Sequence, residues 1–143
     1  MNQLRCTLTI VCLFATASWA KEIEWQKNYD AALAQAKKEQ KILLVDIYTD
    51  WCGWCKKLDR DTYSSKDVQA KVAKDFIAVK INPEKSAEGQ KLAQQFDPKG
   101  ILPFLVFIDS TGKTIAQIDG YVNAAAFLIQ LEKVAKPSTE MAK

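Results

Sequence analysis

The stretch DIYTDWCGWCKKLD, Asp46 to Asp59, interleaves two cysteines, three residues apart, with two tryptophans. A Cys-x-x-Cys pair can be a redox dithiol, a metal clip or a structural staple. The staple is the weakest reading, because a bond between Cys52 and Cys55 closes a tiny loop and removes little chain entropy. A closed zinc site takes four ligands. The sequence has no histidine and only two further cysteines, Cys6 and Cys12. Two thiolates alone suit Cu(I), so a soft-metal clip stays open as an alternative. Haem attachment needs a histidine directly after the motif, and Lys56 stands there. No cofactor is expected.

Redox chemistry needs one sulfur made acidic and a second within reach. ILLVDIYT, Ile42–Thr49, is an almost unbroken apolar run, which is the pattern of a strand buried on both faces. The cysteines lie just past its end, where a helix is expected to start and run through CKKLDRDT. Cys52 then sits at the helix N-terminus, where free N–H groups and the positive dipole end favour a thiolate. The thiolate is the form that attacks a disulfide. Cys55, one turn further on and more buried, can attack a mixed disulfide on Cys52, so the spacing suits a nucleophile and its resolving partner.

The remaining elements must position this motif. Asn28–Lys41 reads as an amphipathic helix with Tyr29, Ala32, Leu33 and Ala36 on one face. After the motif, Ser64 and Asp67 suggest a capping box for a second helical stretch. Phe76–Asn82 is a second strand and Ser86–Phe96 a helix despite Gly89. Asp97–Gly100 is a turn, and Ile101–Asp109 a third strand. Ser110–Lys113 is a hairpin turn, and Thr114–Val122 a fourth strand, kinked at Gly120. Asn123–Lys136 closes as a helix capped by Asn123, with Phe127, Leu128, Leu131 and Val134 inward. A short edge strand falls within KEIEW. A strand–helix–strand crossover followed by a hairpin implies an α/β fold: a mixed sheet of four to five strands with helices on both faces.

Composition sets limits. The chain has 143 residues, 48% hydrophobic and 26% charged, with a net charge of +3. It contains no Lys/Arg run of five or more, so no nucleic-acid partner is expected. Residues 1–20 carry Arg5, then the apolar run CTLTIVCLFATA, then SWA. This is the layout of a signal peptide cleaved between Ala20 and Lys21. A membrane anchor is disfavoured, since a dozen apolar residues are short for a bilayer core of roughly 30 Å. A lipoprotein signal is disfavoured because Val11 precedes Cys12. Cleavage leaves Cys52 and Cys55 as the only cysteines. The expected organisation is a signal peptide over 1–20, one domain over 21–136 and a frayed tail over 137–143. No KDEL-type ending is present, so the expected location is the periplasm. A monomer is the default.

ILLVDIYTDWCGWCKKLD resembles the active-site segment of the thioredoxin superfamily. The likeness continues through FIAVKIN, KGILPFLVFIDSTGK and IDGYV. It is nearest to the exported thioredoxin-related proteins with a WCxWCK or WCxxCK motif, a group that includes the C-terminal domain of the DsbD transmembrane reductase. The resemblance implies a thioredoxin-like fold and a thiol–disulfide oxidoreductase. Its substrates would be protein disulfides, and its electron donor a membrane thiol reductase of the DsbD type. A disulfide oxidant or isomerase is the alternative direction, and a Cu(I) chaperone or a non-catalytic binding protein the more distant ones. Pro103 falls where the family has a cis-proline facing the motif; the plainer reading is a trans-proline opening an edge strand. Leu102 stands before it, where many relatives have threonine or isoleucine, which bears on substrate preference.

Asp46 matches the family's buried aspartate behind the second cysteine. Strand alternation also points it into a covered face, where its pKa should rise and it could accept the Cys55 proton. The plainer reading is a structural carboxylate bonded to a neighbouring N–H or to Lys57. Trp51 shields the site or helps form the docking surface. Trp54 takes a position where thioredoxins often have proline and strong oxidants histidine, and it adds an apolar contact for a protein partner. With no nearby histidine, the expected potential lies between those of thioredoxin and the disulfide isomerases, roughly −270 to −180 mV.

Overall fold

Apolar alternation builds the centre of the molecule. The structure, a computed structural model, describes residues 21–97 and 99–136. The elements are β1 (Trp25–Gln26), α1 (Tyr29–Glu39), β2 (Ile42–Ile47), α2 (Gly53–Leu58), α3 (Lys66–Asp75), β3 (Phe76–Ile81), α4 (Ala87–Phe96), β4 (Phe104–Ile108), β5 (Thr114–Asp119) and α5 (Ala124–Ala135). A π-helical turn, Asp59–Tyr63, continues α2. The expected signal peptide and tail lie outside the described residues.

The five strands form one mixed sheet in the order β1-β3-β2-β4-β5. β1 and β2 run parallel to β3, β4 is antiparallel to β2, and β5 is antiparallel to β4. β2 is therefore central. Leu43, Val45 and Ile47 pack on one side with Ala32 and Ala36 of α1 and Phe96 of α4. Leu44 packs on the other with Leu58, Val68, Val72, Phe127 and Leu131 from α2, α3 and α5. Both helical layers answer the near-continuous apolar run of β2.

Caps set the helix ends. Asn28, Ser86 and Asn123 accept from backbone N–H groups of Ala31, Gly89 and Ala126, at 2.7, 2.9 and 3.0 Å, which satisfies otherwise orphaned donors. The expected capping box at Ser64 does not form. Ser65 is the N-cap residue of α3, without a side-chain cap bond, and the Ser64 hydroxyl donates to the Arg60 carbonyl at 2.5 Å. The cap position thus lies one residue later than expected. The fourth strand is irregular opposite Phe107 and Ile108 rather than at Gly120. Gly120 instead ends it with φ +79°.

Gly89 has a specific steric reason. A methyl group there would come within 2.8 Å of the Asn82 carbonyl oxygen and 3.1 Å of Ser86 Oγ. Alanine is the better helix former by about 1 kcal/mol, yet Gly89→Ala should destabilise the protein by about 1–3 kcal/mol through overpacking. Urea unfolding checks this; an unchanged or raised midpoint would mean that the Asn82 turn yields.

Candidate active site

The chain leaves β2, passes Tyr48–Trp51 and enters α2 at the cysteines. Cys52 is the N-cap of α2, and its Sγ accepts from the Cys55 backbone N–H at 3.1 Å. Such a donor, together with the helix end, stabilises negative charge on the sulfur. The two cysteines form a disulfide, with their Cα atoms 5.3 Å apart. Both are buried. Trp51 and Trp54 are not: they are 69% and 58% exposed.

The opening loop is held from the turn after β3. Trp51 Nε1 donates to Glu84 Oε1 at 2.8 Å. Asp50 receives Asn82 Nδ2 at 3.3 Å and pairs with Lys85 at 2.7 Å. Lys85 pulls the Asp50 carboxyl below its ordinary range.

Pro103 lies at the same end of the sheet. Ile47, the last residue of β2, pairs with Phe104, the first of β4. Pro103 is the residue just outside that pair, and the Leu102–Pro103 peptide bond is cis. The Pro103 carbonyl accepts from Gly120 N–H at 2.8 Å. Leu102 is half-buried and packs against the α1–α4 core.

Beneath the motif lies a buried polar network. Asp46, 1% exposed, shares its strand face with Leu44, while Cys55 shares the inner face of α2 with Leu58, three residues on. Lys80, the neighbour of Asp46 in the β2–β3 register, places its Nζ 3.2 Å from Asp46 Oδ2 and 2.5 Å from Asp59 Oδ1. Its ammonium also lies over the rings of Tyr48, Trp25 and Tyr63, at 4.8, 5.1 and 5.4 Å from their centroids, within cation–π range. Lys57, the partner considered from sequence, pairs with Asp61 instead.

Burial pushes the Asp46 pKa up from 3.8 to about 6, against the opposing pull of Lys80. Burial depresses Lys80, but the carboxylates of Asp46 and Asp59 outweigh it and hold its pKa above 10.5. The Tyr63 hydroxyl is pushed well up by burial and by Asp46. Among the described residues, neither Asp46 Oδ1 nor Tyr63 Oη has a hydrogen-bond partner. The two influence each other's protonation without reaching hydrogen-bond geometry.

Sequence reasoning missed Lys80, Asp59, Tyr63, Glu84 and Tyr121. Lys80 had a usable signal, as the single charge in the apolar strand FIAVKI. Tyr121 meets Trp54 in a tilted ring contact with centroids 5.7 Å apart, across more than sixty residues, which no local pattern carries. Among the described residues no group of three or more His, Cys, Asp or Glu is arranged to hold a metal ion.

The thioredoxin-like family profile matches residues 24–110. The chain belongs to the thioredoxin-like family. It is 33% identical over 118 residues to the thiol:disulfide interchange protein DsbD of Yersinia enterocolitica, covering 81% of this chain and 20% of that protein. The chain thus spans about a fifth of the curated relatives it matches. The oxidised C-terminal domain of DsbD from Neisseria meningitidis superposes with a TM-score of 0.64 at 25% identity, covering 77% of this chain and 98% of that one. A structure described as DsbH oxidoreductase gives a TM-score of 0.71 at 23% identity and 94% coverage of both chains, which speaks for the fold. Within this thioredoxin-like member the CxxC pair is joined as a disulfide at the start of α2.

The Asp46 carboxyl gives a pH signature. A group that titrates near 6 when folded and near 3.9 when unfolded binds more protons in the folded state between those values. Its contribution to stability is intact below about pH 4 and falls as pH rises through about 6. Asp46→Asn should therefore match wild type near pH 4 and exceed it at pH 7.5 by up to about 3 kcal/mol. Urea unfolding of the oxidised protein at both pH values measures this; a pH-independent difference would refute the burial argument.

Proposed function

We propose that the chain is exported and acts in the periplasm as a reductase of protein disulfides. The observation that carries this reading is the Cys52–Cys55 bond at the start of α2, with an ionisable carboxyl in the buried layer behind it. In this reading residues 1–20 are a removed signal peptide and 21–136 are the working domain. No helix among the described residues is long and apolar enough to cross a membrane.

The reaction moves two electrons. The Cys52 thiolate attacks one sulfur of a substrate disulfide, and that S–S bond breaks as a mixed disulfide forms. The departing substrate thiolate takes up a proton. Cys55 then loses its proton to Asp46 and attacks Cys52 Sγ. The mixed disulfide breaks, the second substrate sulfur leaves as a thiolate and takes up the proton held by Asp46, and the Cys52–Cys55 disulfide remains. A carboxylate with a pKa of about 6 is ionised at neutral pH and close enough to it to exchange protons in either direction. Pro103 and Leu102 border the docking position of the substrate strand, and Trp51 and Trp54 supply its apolar contacts. The oxidised pair is reset by a donor dithiol; relatives named thiol:disulfide interchange protein DsbD support a membrane thiol reductase of that type. The reducing direction is favoured because no histidine accompanies the motif to stabilise an extreme thiolate.

Insulin reduction with dithiothreitol as reductant tests this. Wild type should accelerate precipitation of the insulin B chain. Cys52→Ser should lose the acceleration by about 100-fold or more, and Cys55→Ser should accumulate a mixed disulfide visible on a non-reducing gel. Equilibration in glutathione buffers should place the potential at roughly −270 to −180 mV. A wild-type rate equal to dithiothreitol alone would end the proposal.

A further inference from the structure

Trp54 is an exposed aromatic side chain on the short helix α2, between the two cysteines. Left alone, such a side chain would sample several rotamers and lose entropy on binding any partner. Here its ring meets Tyr121, at 5.7 Å and an interplanar angle of 38°, a tilted aromatic contact within the favourable centroid range.

Tyr121 is unusually well anchored. On one side, Gly120 turns the chain at φ +79° and its N–H donates to the Pro103 carbonyl at 2.8 Å. On the other, Thr62 Oγ1 donates to the Val122 carbonyl at 2.7 Å. Lys57 Nζ lies 5.0 Å from the Tyr121 ring centroid and is itself paired with Asp61. The tyrosine is thus fixed to the residue before β4 and to the π-helical turn, and half-buried against the α3–α5 core. Trp54 rests on a rigid support while keeping 58% of its surface free.

We infer that Tyr121 is a positioning residue for Trp54, and that the aromatic pair selects polypeptide disulfides over small ones. A disulfide in a polypeptide brings flanking side chains and backbone to lie on the tryptophan face. A small aliphatic disulfide presents little beyond its two sulfurs. Pre-ordering the ring then lowers the cost of binding only for the former. The inference rests on the redox role proposed for Cys52 and Cys55.

The test compares the prereduced protein with two oxidants, insulin and hydroxyethyl disulfide, each reaction followed as loss of the protein's two thiols after acid quench and alkylation. The quantity read is the ratio of the two second-order rate constants. Tyr121→Ala and Trp54→Ala should each lower the insulin-to-small-disulfide ratio by about 5- to 10-fold. The double variant should go no lower than the larger single effect, and Tyr121→Phe should keep the ratio within about twofold. Ile129→Ala, an exposed apolar position on α5, should change neither rate. An unchanged ratio in Trp54→Ala would overturn the inference whatever Tyr121→Ala does, because Trp54 is exposed and its removal leaves the core intact. Losses that multiply in the double variant, or fall equally on both oxidants, would also overturn it. Failure of the wild-type protein to react with either oxidant would strike the redox reading itself.

Discussion

A carboxyl group in the middle of a two-sided core has to be satisfied from within, and this constraint organises the region under the cysteines. Asp46 occupies the central strand, where water cannot reach it. Its counter-charge comes from the adjacent strand in direct register, at Lys80. That lysine reaches on to Asp59, which is 49% exposed, so the network runs from the core to solvent through a single ammonium group. Asp59 belongs to the segment that continues α2. The same ion pairs that neutralise the buried charge therefore tie the second parallel strand to the helix carrying Cys55. The arrangement is costly in desolvation, and its members depend on one another.

The surface of the site follows a related logic. Each exposed tryptophan takes its orientation from a distant loop: Trp51 from Glu84 after β3, and Trp54 from Tyr121 after β5. The turn after β3 also holds Asp50 through Asn82 and Lys85. The loop leading into the cysteines is thereby braced on one flank and the helix behind it on the other. A nucleophile at a helix N-terminus gains from such bracing, since its acidity depends on staying close to particular N–H groups.

Much of this is legible in the sequence, for identifiable reasons. The run ILLVDIYT reads as a doubly buried strand because it is short, continuous and rich in β-branched residues, and the lone aspartate within it marks itself as special. The CxxC is legible because its spacing is local. The last helix announces itself through Asn123, whose side chain acts within three residues, while the same local capping by Asn28 and Ser86 emerges from the structure. Pro103 is placed only by resemblance, since nothing in ILPFLV distinguishes a cis bond from a trans one. The partners of these residues are another matter. Lys80, Glu84 and Tyr121 act across separations of about thirty to seventy residues, and the pairings depend on strand order and register that periodicity does not encode. Lys57 offered a plausible local partner for Asp46 and took Asp61 instead, because the helical i, i+4 contact costs less than reaching inward.

The π-helical turn over Asp59–Tyr63 carries a consequence for how this site tolerates change in length. Each residue of a helix advances the next side chain by roughly 100°, and a π-turn absorbs one residue more than a regular helix would over the same rise. Removing any one of those five residues would leave a helix with nothing locally wrong with it. The flanking turns would keep their facing, because the wide turn is what takes up the extra residue, and only the side chains within it would be redistributed. Four of those five residues are held by their side chains, Asp59 by Lys80, Asp61 by Lys57, Thr62 by Val122 and Tyr63 by the core, so the segment is constrained by its contacts more than by its winding.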